Sequence, residues 1–310
     1  MTVFFSTLNQ IAFLFGFILI GFILAKIKFL PEGAAGVLSK LENAVFIPAL
    51  VLGTFIENFT TEKLSSAGHV FLVSFLIFMI VLPLVLILVR LITKDKYIRN
   101  IYTYGLCFSN FGFMGNAVVK VLFPEIFFEY IIFTLPLWIM IYLWGVPALL
   151  ISDAGEKQSL SKRLRAFVNP MFAGMVIGMI IGLFGIPLPM WIKNLITVSS
   201  DCMSPVAMLL TGVTVSAISL RKTFLNGQIY LVSIIRLILF PAIFLLVANF
   251  VPMGETLYFC ALCALSMPLG LNTIVIPAAY GRDTSVAAGM AVISHLLSAV
   301  TIPLVFMIGV

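Results

Sequence analysis

Apolar residues run along this chain in long blocks, and polar residues gather in the short gaps between them. At roughly 20 apolar residues per membrane crossing, the blocks predict helices near 4–25, 34–56, 68–91, 99–122, 126–151, 168–185, 190–218, 226–250, 255–279 and 284–308. The composition agrees: 62% of residues are hydrophobic and 10% charged, against about 25% charged in soluble domains. The expected class is an all-α integral membrane protein of ten transmembrane helices, with the lipid bilayer as its solvent. The first block has no Lys or Arg before it and exceeds the roughly 7–15-residue core of a secretory signal, so it reads as a retained helix.

The net charge of +6 does not imply a nucleic-acid partner, because the basic residues sit between spans, where they set orientation. Alternate gaps hold Lys26, Lys28, Arg90, Lys94, Lys96, Arg99, Lys157, Lys162, Arg163, Arg165, Arg221, Lys222 and Arg282, whereas the opposite gaps hold Lys63 with Glu57, Glu62, Glu125 and Glu255. This bias predicts both termini on the extracytoplasmic side of a cell membrane, plasma or inner.

The longest polar stretch divides the chain into a first five-helix unit over 1–152, a cytoplasmic linker over 153–167 and a second unit over 168–310. Five is odd, so the second unit crosses in the opposite sense. Prolines recur in order, Pro48 and Pro205 in the second helices and Pro83 and Pro241 in the third, the mark of an inverted repeat. The fourth helices carry the clearest match, Leu106 to Asn116 and Leu262 to Asn272, each beginning Leu-Cys and ending ten residues later in Asn. Gly112, Gly115 and Gly270 let the chain leave helical geometry, and Pro268 removes a backbone donor. Irregular backbone survives at membrane depth only against protein or a watery cavity, and paired broken helices in two halves point to a transporter's binding site. Two helix N-termini meeting there suit a carboxylate. Asn116 and Asn272 are expected to cap the resumed helices; alternatively, these residues only satisfy broken backbone.

A charge near the bilayer centre costs about 2.5–3.5 kcal/mol, so Arg236, about ten residues into its helix, is expected to face an acidic partner, Glu42 or Asp201. Lys120, four residues after Asn116, either adds positive charge to the site or snorkels to water. His295, near the middle of the last helix, either titrates in a proton-coupled cycle or stays neutral on a backbone carbonyl. The stripe Gly174, Gly178, Gly182 lets helices approach closely, within the molecule or across a dimer. The four cysteines, Cys107, Cys202, Cys260 and Cys263, lie within apolar spans, unlike a disulfide framework. Cys260 and Cys263 have CxxC spacing, but no second pair or nearby His completes a metal set. Neither a G-x-S-x-G nucleophile motif nor a phosphate-binding glycine loop occurs, so no enzyme and no cofactor is expected.

Asn110-Phe111-Gly112-Phe113-Met114-Gly115 resembles the Asn-x-Gly-x-x-Gly-x-Pro stretch in the fourth helix of the auxin efflux carrier family, which includes plant auxin exporters and bacterial malate and malonate permeases. Ser266-Met267-Pro268 with Asn272, Tyr280-Gly281-Arg282-Asp283, Ile302-Pro303-Leu304, and Arg236 with Pro241 resemble its eighth to tenth helices. Ala117 stands where that family usually has proline, Asn116 replaces an apolar residue, and His295 takes a position often held by Thr. The resemblance implies a fold like that of bile acid symporters and sodium/proton antiporters, with helices 1, 2, 6 and 7 as a scaffold, often dimeric, and helices 3–5 and 8–10 as a moving unit. Broken helices 4 and 9 would cross. The expected activity is alternating-access transport of a small organic anion, such as malate, malonate or an auxin-like carboxylate. Asn110, Gly112, Gly115, Asn116, Pro268, Gly270 and Asn272 would form its site. Arg236, Lys120, Glu42, Asp201 and His295 would tune charge or couple a proton or sodium ion. Two alternatives stand beside it, a cation/proton antiporter on the same fold and a membrane sensor that binds without moving its ligand.

Overall fold

The computed structural model describes residues 2–151, 169–279 and 282–309. The expected linker 153–167 lies outside the described residues, as do Tyr280 and Gly281. Every described element is helical, and one isolated antiparallel bridge, Ser109 to Leu269, is the sole strand-like pairing among them.

In chain order the α-helices are α1 (Thr2–Lys26), α2 (Ala34–Leu41), α3 (Ile47–Asn58), α4 (Thr61–Ile92), α5 (Lys96–Cys107), α6 (Asn116–Leu122), α7 (Phe127–Met140), α8 (Pro170–Leu183), α9 (Met190–Ser216), α10 (Leu220–Phe224), α11 (Gly227–Ile234), α12 (Phe240–Ala248), α13 (Glu255–Ser266), α14 (Asn272–Ala279) and α15 (Ser285–Gly309). Wider π turns join several of them. Glu42–Phe46 links α2 to α3, Ile235–Leu239 links α11 to α12, and Ile141–Leu150 extends α7. The first two are each followed two residues later by a proline, Pro48 and Pro241, and the third contains Pro147. A proline ring inside a helix collides with the carbonyl four residues back and offers that carbonyl no N–H, and a π turn widens the helix to relieve both.

Among the described residues seven helices are long and apolar enough to cross a membrane, and Phe111–Leu122, Pro170–Leu183 and Glu255–Ser266 are shorter apolar helices. Large apolar side chains such as Leu19, Ile80, Leu91, Ile177 and Leu246 point outward, as expected where the solvent is hydrocarbon. Helix starts are capped as the sequence allows: the Asp95 side chain accepts from the Ile98 N–H and the Asn169 side chain from the Met171 and Phe172 N–H groups, which removes orphan donors.

Two packing groups emerge. In one, α1 lies along α9, and α3 lies against both α8 and α9. In the other, α4 packs on α5 and α7, α7 meets α13, and α11 runs beside α15. The glycine stripe of α8 is used within the chain. A Cβ added to Gly174 would stand 2.9 Å from the Pro48 carbonyl oxygen, and one on Gly178 2.8 Å from that of Leu52, so backbone meets backbone as in other small-residue membrane contacts. Replacing Gly178 with Leu therefore wedges α8 from α3 and should destabilise the protein by about 1–3 kcal/mol, seen as a lower melting temperature in detergent.

Candidate functional site

The two predicted interruptions meet. After α5 the chain turns extended at Phe108, and after α13 at Met267, the latter because the residue before a proline is steered away from helix. The two short peptides run antiparallel at Ser109 and Leu269, and the Asn110 N–H donates to the Pro268 carbonyl at 2.8 Å. Close approach dictates the glycines. A Cβ on Gly270 would collide with the Phe108 carbonyl, one on Gly115 with the Tyr130 hydroxyl, and one on Gly112 would stand 2.8 Å from the Trp138 ring.

A helix that stops inside the bilayer leaves carbonyls without partners. Here one side chain collects them. The buried Arg236 guanidinium donates from Nε to the Met267 carbonyl (3.1 Å), from Nη1 to that of Leu106 (3.1 Å) and from Nη2 to that of Ala264 (2.7 Å). It also lies over the Phe240 ring, 5.6 Å from its centre. The Ser109 hydroxyl donates to the second lone pair of the Ala264 carbonyl at 2.8 Å. Each helix C-terminus carries roughly half a negative charge, so two of them approximately balance one guanidinium. The expectation of an acidic partner is thereby corrected. Asp201 instead accepts from Lys120 at 2.8 Å, with both side chains about half exposed, and Glu42 lies against α9.

Past the crossing, the chain resumes as a π turn, Phe111–Gly115, and then α6. The cap is Asn110, not Asn116: the Asn110 carbonyl accepts from Met114 and Gly115, and its side-chain oxygen accepts from the Met114 N–H at 3.4 Å. The inserted π turn moves Asn116 one turn beyond the break, which explains the difference. The Asn110 amide nitrogen meets His295 Nε2 at 2.9 Å, and His295 Nδ1 meets the Ala291 carbonyl at 2.8 Å. A carbonyl can only accept, so Nδ1 carries the proton and Nε2 accepts from Asn110. Both ring nitrogens are engaged by a neutral imidazole. On the other strand the Leu269 N–H donates to the Ser294 hydroxyl at 3.3 Å, and Asn272 opens α14 with its side chain facing the buried Tyr104 hydroxyl.

Asn116 lines two cavities. The first is small and apolar, bounded by Gly112, Phe113, Trp138 and Met203. The second, of about 160 Å³, adds Gln10, Lys120, Ser200, Asp201 and Ser204. The buried Asn116 side-chain oxygen has no hydrogen-bond partner, while the Ser204 hydroxyl holds the Phe113 carbonyl at 2.8 Å. The structure thus gathers Asn110, Gly112, Gly115, Pro268, Gly270, Asn272, His295 and Arg236 around the crossing, puts Asn116 and Lys120 on the adjoining cavity, and leaves Glu42 apart. Sequence reasoning missed Ser109, Ser204, Ser294 and Tyr130. Ser109 lay inside the quoted motif, and the others sit beside Pro205, beside His295 and directly after Glu129.

A family model described as membrane transport protein matches residues 6–306. No curated protein matches the chain.

Arg236→Met removes three charge-assisted hydrogen bonds and strands carbonyls in an apolar interior. It should cost about 3 kcal/mol or more, measured as a fall in melting temperature, and Arg236→Lys should recover only part because a lysine lacks the planar fork.

Proposed function

Because the chain belongs to the auxin efflux carrier family of membrane transport proteins, we propose that it is a transporter that moves a small organic anion, a dicarboxylate such as malate or malonate, by alternating access. The observation that carries the reading is the imbalance of charge at the crossing. Arg236 neutralises the two helix C-termini, whereas the N-terminal ends of the Phe111–Leu122 segment and of α14 face the same region with no carboxylate hydrogen-bonded there among the described residues. Uncancelled helix N-termini favour an anion. The same lack of a carboxylate weighs against a cation/proton antiporter, which needs acidic groups at that place.

In this reading the chain makes ten crossings as two inverted repeats, 1–152 and 168–310, with both termini outside. The two packing groups support a division into a scaffold, built on α1, the α2–α3 segment, α8 and α9, and a moving unit carrying the crossed helices. Asn116, Asn272 and the first-turn N–H groups hold the anion, which enters from the cavity of about 160 Å³ beside Lys120. The reaction is displacement without covalent change, so positioning and electrostatics suffice.

Uptake of labelled malate and malonate into proteoliposomes tests this. Saturable uptake should appear with the native chain and fall at least tenfold in Asn272→Ala, whose melting temperature should stay within a few degrees. Ligand binding without flux under any imposed gradient would replace the transporter by a sensor.

A further inference from the structure

Glu42 is the one fully buried carboxyl among the described residues, and neither of its oxygens has a hydrogen-bond partner. It opens the π turn that joins α2 to α3, and that turn packs against α9, α8 and α3. The backbone of Ala207, on α9, lies close to its carboxyl. Buried polar groups in folded proteins are almost always paired, and every side-chain nitrogen of Arg236 and His295 in this same molecule has a partner. Glu42 departs from that rule.

The surroundings hold no cation for it. Lys40, on its own element, is exposed and two residues away, a spacing at which helical side chains do not share a face. On α9, Lys193 is exposed, Asp201 is turned to Lys120, and Cys202 lies about a turn and a half from Ala207. The only titratable residue of α3 is Glu57, exposed at its far end, and α8 brings none. α14, which packs against α2, also contributes none among its described side chains. An ionised carboxylate placed here would be an uncompensated charge inside the membrane, which proteins avoid by neutralising the group or by using it.

We infer that Glu42 is a proton-binding site of this transporter: it holds a proton in the arrangement described here and exchanges it with water when the transport cycle moves α14 away from α2. The binding half stands on the burial and isolation of Glu42. The coupling half rests on the transporter reading above. Because Glu42 lies apart from the crossed peptides, it can carry the proton without touching the anion, and binding of the two would be linked through movement of α14 past α2.

Infrared difference spectroscopy of the protein in lipid reads the proton directly. At neutral pH the native chain should show a protonated-carboxyl C=O band that Glu42→Gln removes and Glu42→Asp shifts; superimposable native and Gln spectra would overturn the proton site. If the Gln variant does not fold, the Asp shift and the displacement of the native band in heavy water decide the matter. In proteoliposomes at clamped voltage, an inward proton gradient should speed malate or malonate uptake severalfold in the native chain, and Glu42→Gln should retain the gradient-free rate but lose that stimulation. Native uptake indifferent to the gradient would overturn the coupling. Absence of flux for either anion in both proteins would instead strike the transporter reading, and the band would still decide whether Glu42 binds a proton.

Discussion

One guanidinium closes the account for two interrupted helices. Stopping a helix inside hydrocarbon strands carbonyls that no water can reach, and each stranded group costs several kcal/mol. Arg236 takes one carbonyl from the end of α5 and two from the end of α13, so the same charge that would be intolerable alone becomes the partner of two dipoles. The reciprocity matters. Neither the arginine nor the crossing is stable without the other, and the remaining irregular backbone can then be handled by short-range devices such as the Asn110 cap, the Ser109 hydroxyl and the single bridge to Leu269.

That arrangement also sets the electrical character of the site. With the negative helix ends cancelled from one side, the positive ends opposite them remain, and the glycines keep them approachable by bringing backbone against backbone. Gly270 at Phe108 and Gly115 at Tyr130 have no room for a methyl group. On the proposed reading, selectivity for anions would be a property of main-chain geometry, held by a side chain that need never touch the solute.

Much of this was legible in the sequence, for reasons that also explain the rest. Long apolar blocks locate helices because hydrocarbon allows little else, and the breaks stood out because Gly, Pro and Asn are conspicuous inside such blocks. Arg236 stood out equally, yet its partners did not. A sequence displays carboxylates and hides carbonyls, so an acidic partner looked necessary where two helix ends sufficed. The exchange of capping role between Asn116 and Asn110 has a similar origin. Spacing rules assume 3.6 residues per turn, and the π turn Phe111–Gly115 inserts a residue that no spacing rule anticipates. Lys120 and Asp201 are 81 positions apart, and only the packing of α6 near α9 brings them together.

The π turns raise a wider point about where charge can live in this molecule. Glu42 opens the turn before Pro48, and Arg236 is the second residue of the turn before Pro241. A π turn is looser than an α turn and rotates the side chains that follow it by most of a residue's step, so a polar group there can be aimed at a place that regular helix would not reach. For Arg236 the place is the two helix ends, where each of its three nitrogens meets a carbonyl. Glu42 has the same kind of local backbone, but its carboxyl oxygens lie buried beside the Ala207 main chain without a hydrogen-bond partner. Equal means of placement with opposite outcomes argue that the difference lies in purpose: the arginine is fixed because the crossing requires it in every state, whereas a carboxyl left without partners is stable only while neutral, which makes its position sensitive to any movement that admits water.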